Sequence, residues 1–252
     1  MNKSPQVVLL DIETSPILGW AWQAFDTNLL KIVENTKVIS VSWKQLLDKK
    51  THVRCIADYK TYKKGETDDK ELIKEVWDVL DKADVLIGHH SDSFDIKKLN
   101  SRFIYYGLNA PSSYQTVDTC KLAKKYFRFD SNSLNNLSIY LGLGEKAPSG
   151  LSLWLDCLAG DPDAWLKMKK YNAQDVILLE KLYLTLRPFQ DNHPNLNLLS
   201  DHSGESCPTC LSTTLSKRGF SLTKTGTKQR YQCNSCGSWS SGPFVKTKDV
   251  LS

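Results

Sequence analysis

The sequence predicts an α/β protein, a mixed sheet flanked by helices, with a small cysteine-held appendage at its C-terminal end. Three observations predict it. The apolar run Val7-Val8-Leu9-Leu10 leads into Asp11-Ile12-Glu13, as in a strand buried on both faces. A helical repeat at Leu72, Ile73, Val76, Trp77 and Leu80 precedes a second short apolar run, Val85-Leu86-Ile87, and helices alternating with strands mark α/β packing. Residues 204–252 carry two C-x-x-C pairs and few large apolar residues.

The 252 residues suffice for one α/β domain and the appendage, expected as residues 1–190, a linker at 191–203 and the appendage at 204–252. Apolar content of 40% supports a core, and no stretch approaches the ~18 apolar residues of a membrane span, so no membrane partner is expected. Five residues before the first strand leave no room for a signal peptide. Three of the seven cysteines, Cys55, Cys120 and Cys157, are scattered, which does not suit a secreted disulfide framework. A reducing, cytoplasmic setting is expected. The net charge of +5 resides in residues 203–252, where seven Lys/Arg face Glu205 and Asp249, while the first 202 residues balance at 26 of each sign. A neutral body with a basic tail suits an anionic polymer.

Along the first strand side chains alternate, so Val7, Leu9, Asp11 and Glu13 share a face. Two carboxylates there repel each other and are costly to desolvate, and divalent cations would relieve both problems. The competing reading is a solvated turn at Thr14-Ser15-Pro16. Gly19–Trp22, Val38–Trp43 and His52–Ile56 read as further strands. Trp20, Trp22 and Phe25 are expected as core or wall packing rather than as base-stacking platforms. Asp68-Asp69 opens an amphipathic helix, its acidic first turn suiting the dipole. Asp84–Gly88 is a buried strand whose end, at Gly88-His89-His90, is a site edge. The two histidines read as hydrogen-bonded structure rather than metal ligands. Asp95 stands at the start of a helix running to about Gly107, where capping is the plain alternative. Asp118 caps a short helix, and Ser131-Asn132-Ser133 caps another that Gly142 ends. The last helix of the body begins at Asp161-Pro162 and carries Met168, Tyr171, Asp175, Leu178 and Leu182 on one stripe. Asp175 thus interrupts an apolar face, with Tyr171 one turn before it.

Asp11-Ile12-Glu13, His90-x-x-x-Phe94-Asp95 and Tyr171-x-x-x-Asp175 together resemble the three motifs of the DnaQ-like, or DEDD, 3′–5′ exonucleases, in that family's order and over residues 5–188. The resemblance implies an RNase H-like fold. Tyr171 matches the tyrosine subclass; the histidine subclass would place His where this chain has Lys170. His90 and Phe94 would approach the substrate strand, although the family commonly carries Asn where His90 stands. The layout also resembles stand-alone, often phage-encoded, members of the YprB-like group, which implies the cytoplasm of a bacterial host.

Carboxylate-only sites select hard cations, Mg²⁺ or Mn²⁺. Two such ions, roughly 3.5–4 Å apart, activate a water and stabilise the leaving 3′ oxygen of a phosphodiester. Asp11 is expected to bridge both ions, with Glu13 and Asp175 completing the site of the attacking water. Asp95 would hold the second ion partly through water. Tyr171, a poor base with an ordinary pKa near ~10, would orient the water. Nucleic acid with a single-stranded 3′ end is the expected partner, DNA slightly ahead of RNA. A structure-specific endonuclease on the same fold and an inactive nucleic-acid-binding module are the competing functions.

Cys207-x-x-Cys210 and Cys233-x-x-Cys236, separated by 22 residues, resemble a zinc ribbon with one structural Zn²⁺; paired disulfides are the alternative. So small a segment would scarcely fold without the metal. Lys217, Arg218, Phe220, Lys224, Lys228, Arg230 and Tyr231 interleave charge with aromatics, which suits a grip on nucleic acid, with a solvated hairpin or a protein-docking face as alternatives. Lys217 and Arg218 are the candidate contacts.

Overall fold

A computed structural model describes residues 4–23, 25, 28–200 and 205–246; residues 201–203 of the expected linker lie outside them. The strands of the body are β1 (Val7–Thr14), β2 (Leu18–Trp20), β3 (Lys31–Glu34), β4 (Val38–Gln45), β5 (His52–Cys55), β6 (Val85–Gly88) and β7 (Gln115–Asp118). The helices are α1 (Lys70–Asp81), α2 (Asp95–Tyr105), α3 (Thr119–Tyr126), α4 (Leu134–Tyr140), α5 (Leu151–Leu158) and α6 (Pro162–Leu186). Five strands form one sheet in the order β5-β4-β1-β6-β7, with β1 antiparallel to β4 and parallel to β6. The expected mixed sheet flanked by helices is therefore present.

β1 lies at the centre, and its alternation splits the core. Val8, Leu10 and Ile12 pack with Leu72, Ile73, Val76 and Leu80 of α1 and with Leu99 and Phe103 of α2. Val7 and Leu9 pack on the other face with α3, α4 and the C-terminal half of α6. Burial on both sides explains why the segment is continuously apolar. Because β1 and β6 are parallel, their C-terminal ends meet at one edge of the sheet, where Asp11, Glu13 and the β6–α2 loop converge.

The expected caps form. Asp161 accepts from Asp163 N–H ahead of Pro162, Ser133 accepts from Asn136 N–H, and Asp118 accepts from Cys120 and Lys121 N–H. Gly142, at φ +67°, closes α4. Local sequence had not marked β7 or α5. β7 draws on tertiary pairing with β6 and α5 on packing against α6, through Trp154 on Tyr171.

The reading of Trp20, Trp22 and Phe25 as core or wall packing is corrected: they are 67%, 88% and 83% exposed. β2 and β3 form a separate two-stranded ribbon outside the main sheet, and among the described residues no second layer of strands or helices covers these rings.

A second antiparallel sheet, β10-β9-β8, is built from β8 (Leu215–Leu222), β9 (Gly226–Cys233) and β10 (Trp239–Lys246). The segment before it is not a bare tether. Leu196–Leu199 makes a 3-10 turn, Leu196 is buried in the body core, and its N–H donates to the Pro208 carbonyl at 2.8 Å.

Candidate active site

Asp11 and Glu13 project half-buried from β1, as strand alternation requires. α6 crosses the same face and delivers Asp175, 1% exposed. One ligand oxygen from each of these three acids lies within 4.8 Å of the others. Asp95 lies outside that set. It is the first residue of α2, and its Oδ1, instead of capping the helix, accepts from Ile12 N–H of β1 at 3.1 Å. It is nonetheless close enough that its charge raises the Asp11 pKa. The sequence-derived acids therefore gather as three plus one.

The electrostatics are those of crowded, buried carboxylates. Burial, and then repulsion by Asp95, Asp175 and Glu13, holds Asp11 well above the usual carboxylate range. Burial and then Asp175 push Glu13 to about 8, and burial raises Asp95 to about 6. Asp175 Oδ1 is buried without a hydrogen-bond partner among the described residues, an oxygen donor of the kind that hard cations take. The donor set fits Mg²⁺ or Mn²⁺.

Two residues that the sequence reading passed over complete the cup. Asn172, fully buried, donates from Nδ2 to Asp11 Oδ2 at 2.7 Å. It is fixed in turn by Ser40, whose hydroxyl donates to Asn172 Oδ1 at 2.8 Å, and by Ser42, whose hydroxyl donates to its carbonyl at 2.7 Å. Ser42 and Ser40 lie opposite Asp11 and Glu13 in the β1–β4 register. Asn172 stands four residues after Met168 and three before Asp175, a spacing that places it on the same inward stripe. Lys146 had no such signal. It comes from the loop after α4, donates from Nζ to Asp175 Oδ2 at 2.6 Å, and lies 5.4 Å from the Tyr171 ring centre. Burial alone would lower its pKa; Asp175 outweighs that and raises it.

Tyr171 is half-buried, edge-on to Trp154 at 5.7 Å, and lines a cleft of about 360 Å³ with Pro148, Ser149, Gly150 and Lys170. Burial, and then Asp175, raise its pKa, so it remains a phenol. The β6–α2 loop is tight: a Cβ on Gly88 would meet Ser91 Cβ at 2.3 Å. His90 is exposed at φ +63°, its N–H donating to Asp118 Oδ1 at 2.9 Å, and Phe94 is exposed beside it. His89 is structural, as expected. Its Nε2 faces the Asn132 carbonyl and its Nδ1 the Thr119 hydroxyl, each at 2.9 Å, and burial lowers its pKa to about 4.

The four C-terminal cysteines converge too. All are free thiols, with Cys207–Cys236 and Cys210–Cys233 sulfurs 3.6 Å apart. A tetrahedral Zn²⁺ with Zn–S near ~2.3 Å sets sulfur–sulfur separations of about 3.8 Å, so the four fit. The two knuckles repeat one backbone pattern. Leu211 N–H donates to Cys207 O and Gly237 N–H to Cys233 O, with φ +64° and +77° at Leu211 and Gly237. Lys217 and Arg218 lie exposed on β8, apart from the carboxylates in the chain's second sheet.

The sequence model of the RNase_H superfamily matches residues 8–187. This chain belongs to the RNase H superfamily. That RNase H-superfamily region contains all four acids and Tyr171 and excludes the cysteine ribbon. Among solved structures, the family B DNA polymerase from the hyperthermophilic archaeon Pyrobaculum calidifontis is similar in fold. The TM-score is 0.55 at 17% identity, covering 74% of this chain and 25% of the polymerase. The chain thus spans about a quarter of that polymerase's length. No curated protein matches it. Among the described residues, no helix is long and apolar enough to cross a membrane.

Proposed function

We propose that this chain is a metal-dependent nuclease of the DEDD tyrosine type, removing nucleotides from the 3′ end of a single strand, DNA ahead of RNA. Its catalytic body is residues 1–190, and residues 204–252 form a zinc ribbon that adds grip on the polymer, in a reducing cytoplasm. The observation that carries the reading is the convergence of Asp11, Glu13 and Asp175, with one buried Asp175 oxygen left unpartnered.

Asp11, Glu13 and Asp175 would hold the divalent cations and Asp95 would complete the set. When bound, Mg²⁺ or Mn²⁺ supplies activation of the attacking water and charge stabilisation of the leaving 3′ oxygen. Asn172 fixes the rotamer of Asp11, so that its other oxygen is presented to the cup. Tyr171, protonated at neutral pH, orients the attacking water as a hydrogen-bond partner and leaves proton removal to others. Lys146 neutralises Asp175 while no cation does. His90 and Phe94, both exposed in the loop between β6 and α2, would meet the terminal nucleotides.

The test uses 5′-labelled single- and double-stranded DNA and RNA with Mg²⁺ or Mn²⁺. A ladder shortening from the 3′ end, absent with Asp175→Asn and with EDTA, is the expected result. Cleavage of circular substrate would make the protein an endonuclease. No cleavage in any arm would leave a binding module and end the enzyme reading.

A further inference from the structure

The seam between body and ribbon holds a charge that the nuclease chemistry does not use. Arg187 follows α6 directly and is 8% exposed. Its Nε and Nη1 have no hydrogen-bond partner, and among the described residues it makes no ion pair with a carboxylate. Asp191, the carboxylate closest to it in sequence, is committed to Lys125 and Tyr126 at the surface. A buried guanidinium without an anion is costly, so an arrangement like this calls for a negative partner.

The surroundings identify one. Pro188, the next residue, packs on the second cysteine knuckle: a Cβ on Gly237 would lie 3.5 Å from Pro188 Cβ, and Gly237 directly follows Cys236. Leu211, which directly follows Cys210 in the first knuckle, packs against the same body core as Tyr183 and Leu186 of α6. Tyr183 packs beside Arg187 in the core that Leu211 also touches. Its ring centre is 5.7 Å from the Arg187 guanidinium, and its hydroxyl donates to His193 Nε2 at 2.7 Å. Burial raises its pKa to about 12, and Arg187, hydrogen-bonded to it and positively charged, works against that rise. Ser238 Oγ, buried one residue beyond Gly237, is a further donor with no partner. Four thiolates around Zn²⁺ make a dianion, and nearby cations and hydrogen-bond donors that face the ligand sulfurs stabilise such centres.

We propose that Arg187 is the electrostatic counterpart of the metal-loaded Cys207–Cys210–Cys233–Cys236 centre, so that the bound ion fastens the ribbon to the end of α6. α6 is also the helix that carries Asn172 and Asp175. Zinc occupancy therefore governs the placement of the ribbon relative to the acid cluster as well as the ribbon's own folding. This rests on the zinc reading of the four cysteines.

The experiment takes the full chain as wild type, Arg187→Met and Arg187→Lys. It measures zinc content, zinc transfer to 4-(2-pyridylazo)resorcinol, and the thiolate-to-cobalt charge-transfer band after metal replacement. Wild type is expected to hold one zinc ion, and Arg187→Met to release it about 10- to 100-fold more readily with a shifted cobalt band. Arg187→Lys, which keeps the charge, should fall between them. A role in packing alone reverses the order, because Met replaces the buried stem better than a charged Lys. Zinc release and a cobalt band unchanged in Arg187→Met, or Met outperforming Lys, would overturn the proposal while the zinc reading stands. A wild type that binds no zinc would overturn both.

Discussion

Lys146 Nζ donates to Asp175 Oδ2 across 2.6 Å, while Oδ1 of the same carboxylate is buried without a partner. Half of this carboxylate is thus neutralised by the chain itself and half is left open. The lysine arrives on a loop and the aspartate on a rigid 25-residue helix, so the lysine is the partner that can withdraw.

Removing the lysine should separate its two effects. Lys146→Ala is expected to destabilise the metal-free protein by about 1–3 kcal/mol, because Asp175 loses its hydrogen bond in a buried setting. The same change should tighten Mn²⁺ binding, since no side chain then competes for Oδ2. Melting in EDTA and titration calorimetry with Mn²⁺ check both, and an unaltered Mn²⁺ affinity would show that Lys146 does not compete.

Asn172 acts on Asp11 rather than on substrate. Asn172→Ala is expected to lower metal affinity and turnover by about 10- to 100-fold, the usual effect of losing a group that orients a ligand. KM for a short oligonucleotide should change little. A large KM effect with normal turnover would place Asn172 in substrate binding instead.

Chelation should make the protein sensitive to alkaline pH. Glu13 is held at about 8 and Asp95 at about 6, in both cases chiefly by burial, and Asp11 is well above its ordinary range. A carboxyl whose folded pKa is raised gives stability that is complete below the unfolded value, near ~4, and is lost as pH rises through the folded value. The melting temperature in EDTA is therefore expected to fall between pH about 5 and pH about 8.5. Mg²⁺ should raise it most at the alkaline end, where the ligands carry no protons. Melts in EDTA and MgCl₂ across that range decide the sign.

The start of β4 is pinned by a buried ion pair. Asp69 is fully buried, accepts Val38 N–H at 3.0 Å, and meets Arg102 through Nε at 2.9 Å and Nη2 at 2.6 Å. Arg102→Met should cost about 3–5 kcal/mol, since it strands a buried carboxylate. Replacing both partners by apolar residues should cost less than replacing one, which urea denaturation of the single and double variants measures.

On the ribbon, Lys217→Glu/Arg218→Glu is expected to weaken binding of long single strands. It should reduce the slope of log affinity against log salt by about 1–2. Turnover of short oligonucleotides should be unaffected. Anisotropy titrations at several salt concentrations test this, and unchanged affinity would turn the ribbon toward a protein partner.

Much of the site could be read before any coordinates because its features are local. Asp11 and Glu13 follow from a period of two, Asp175 and Tyr171 from a period near 3.6, and each knuckle from C-x-x-C spacing. Asp161, Ser133 and Asp118 announce helix starts because capping involves neighbours two or three residues away. The exposed Trp20, Trp22 and Phe25 misled for the converse reason: aromatic content says nothing about whether another layer lies above a strand.

The sequence by itself determined a central two-faced strand ending in acids, an inward helix face interrupted by Asp175, and two C-x-x-C knuckles, because each is written in spacings shorter than two helical turns. Tertiary structure alone decided that Lys146 occupies the cup, that Asn172 grips Asp11 from 161 residues away, and that Arg187 is buried at the ribbon seam. Those contacts join segments brought together by sheet order and helix crossing, and no local periodicity encodes the distance between groups that meet only when the chain has closed around them.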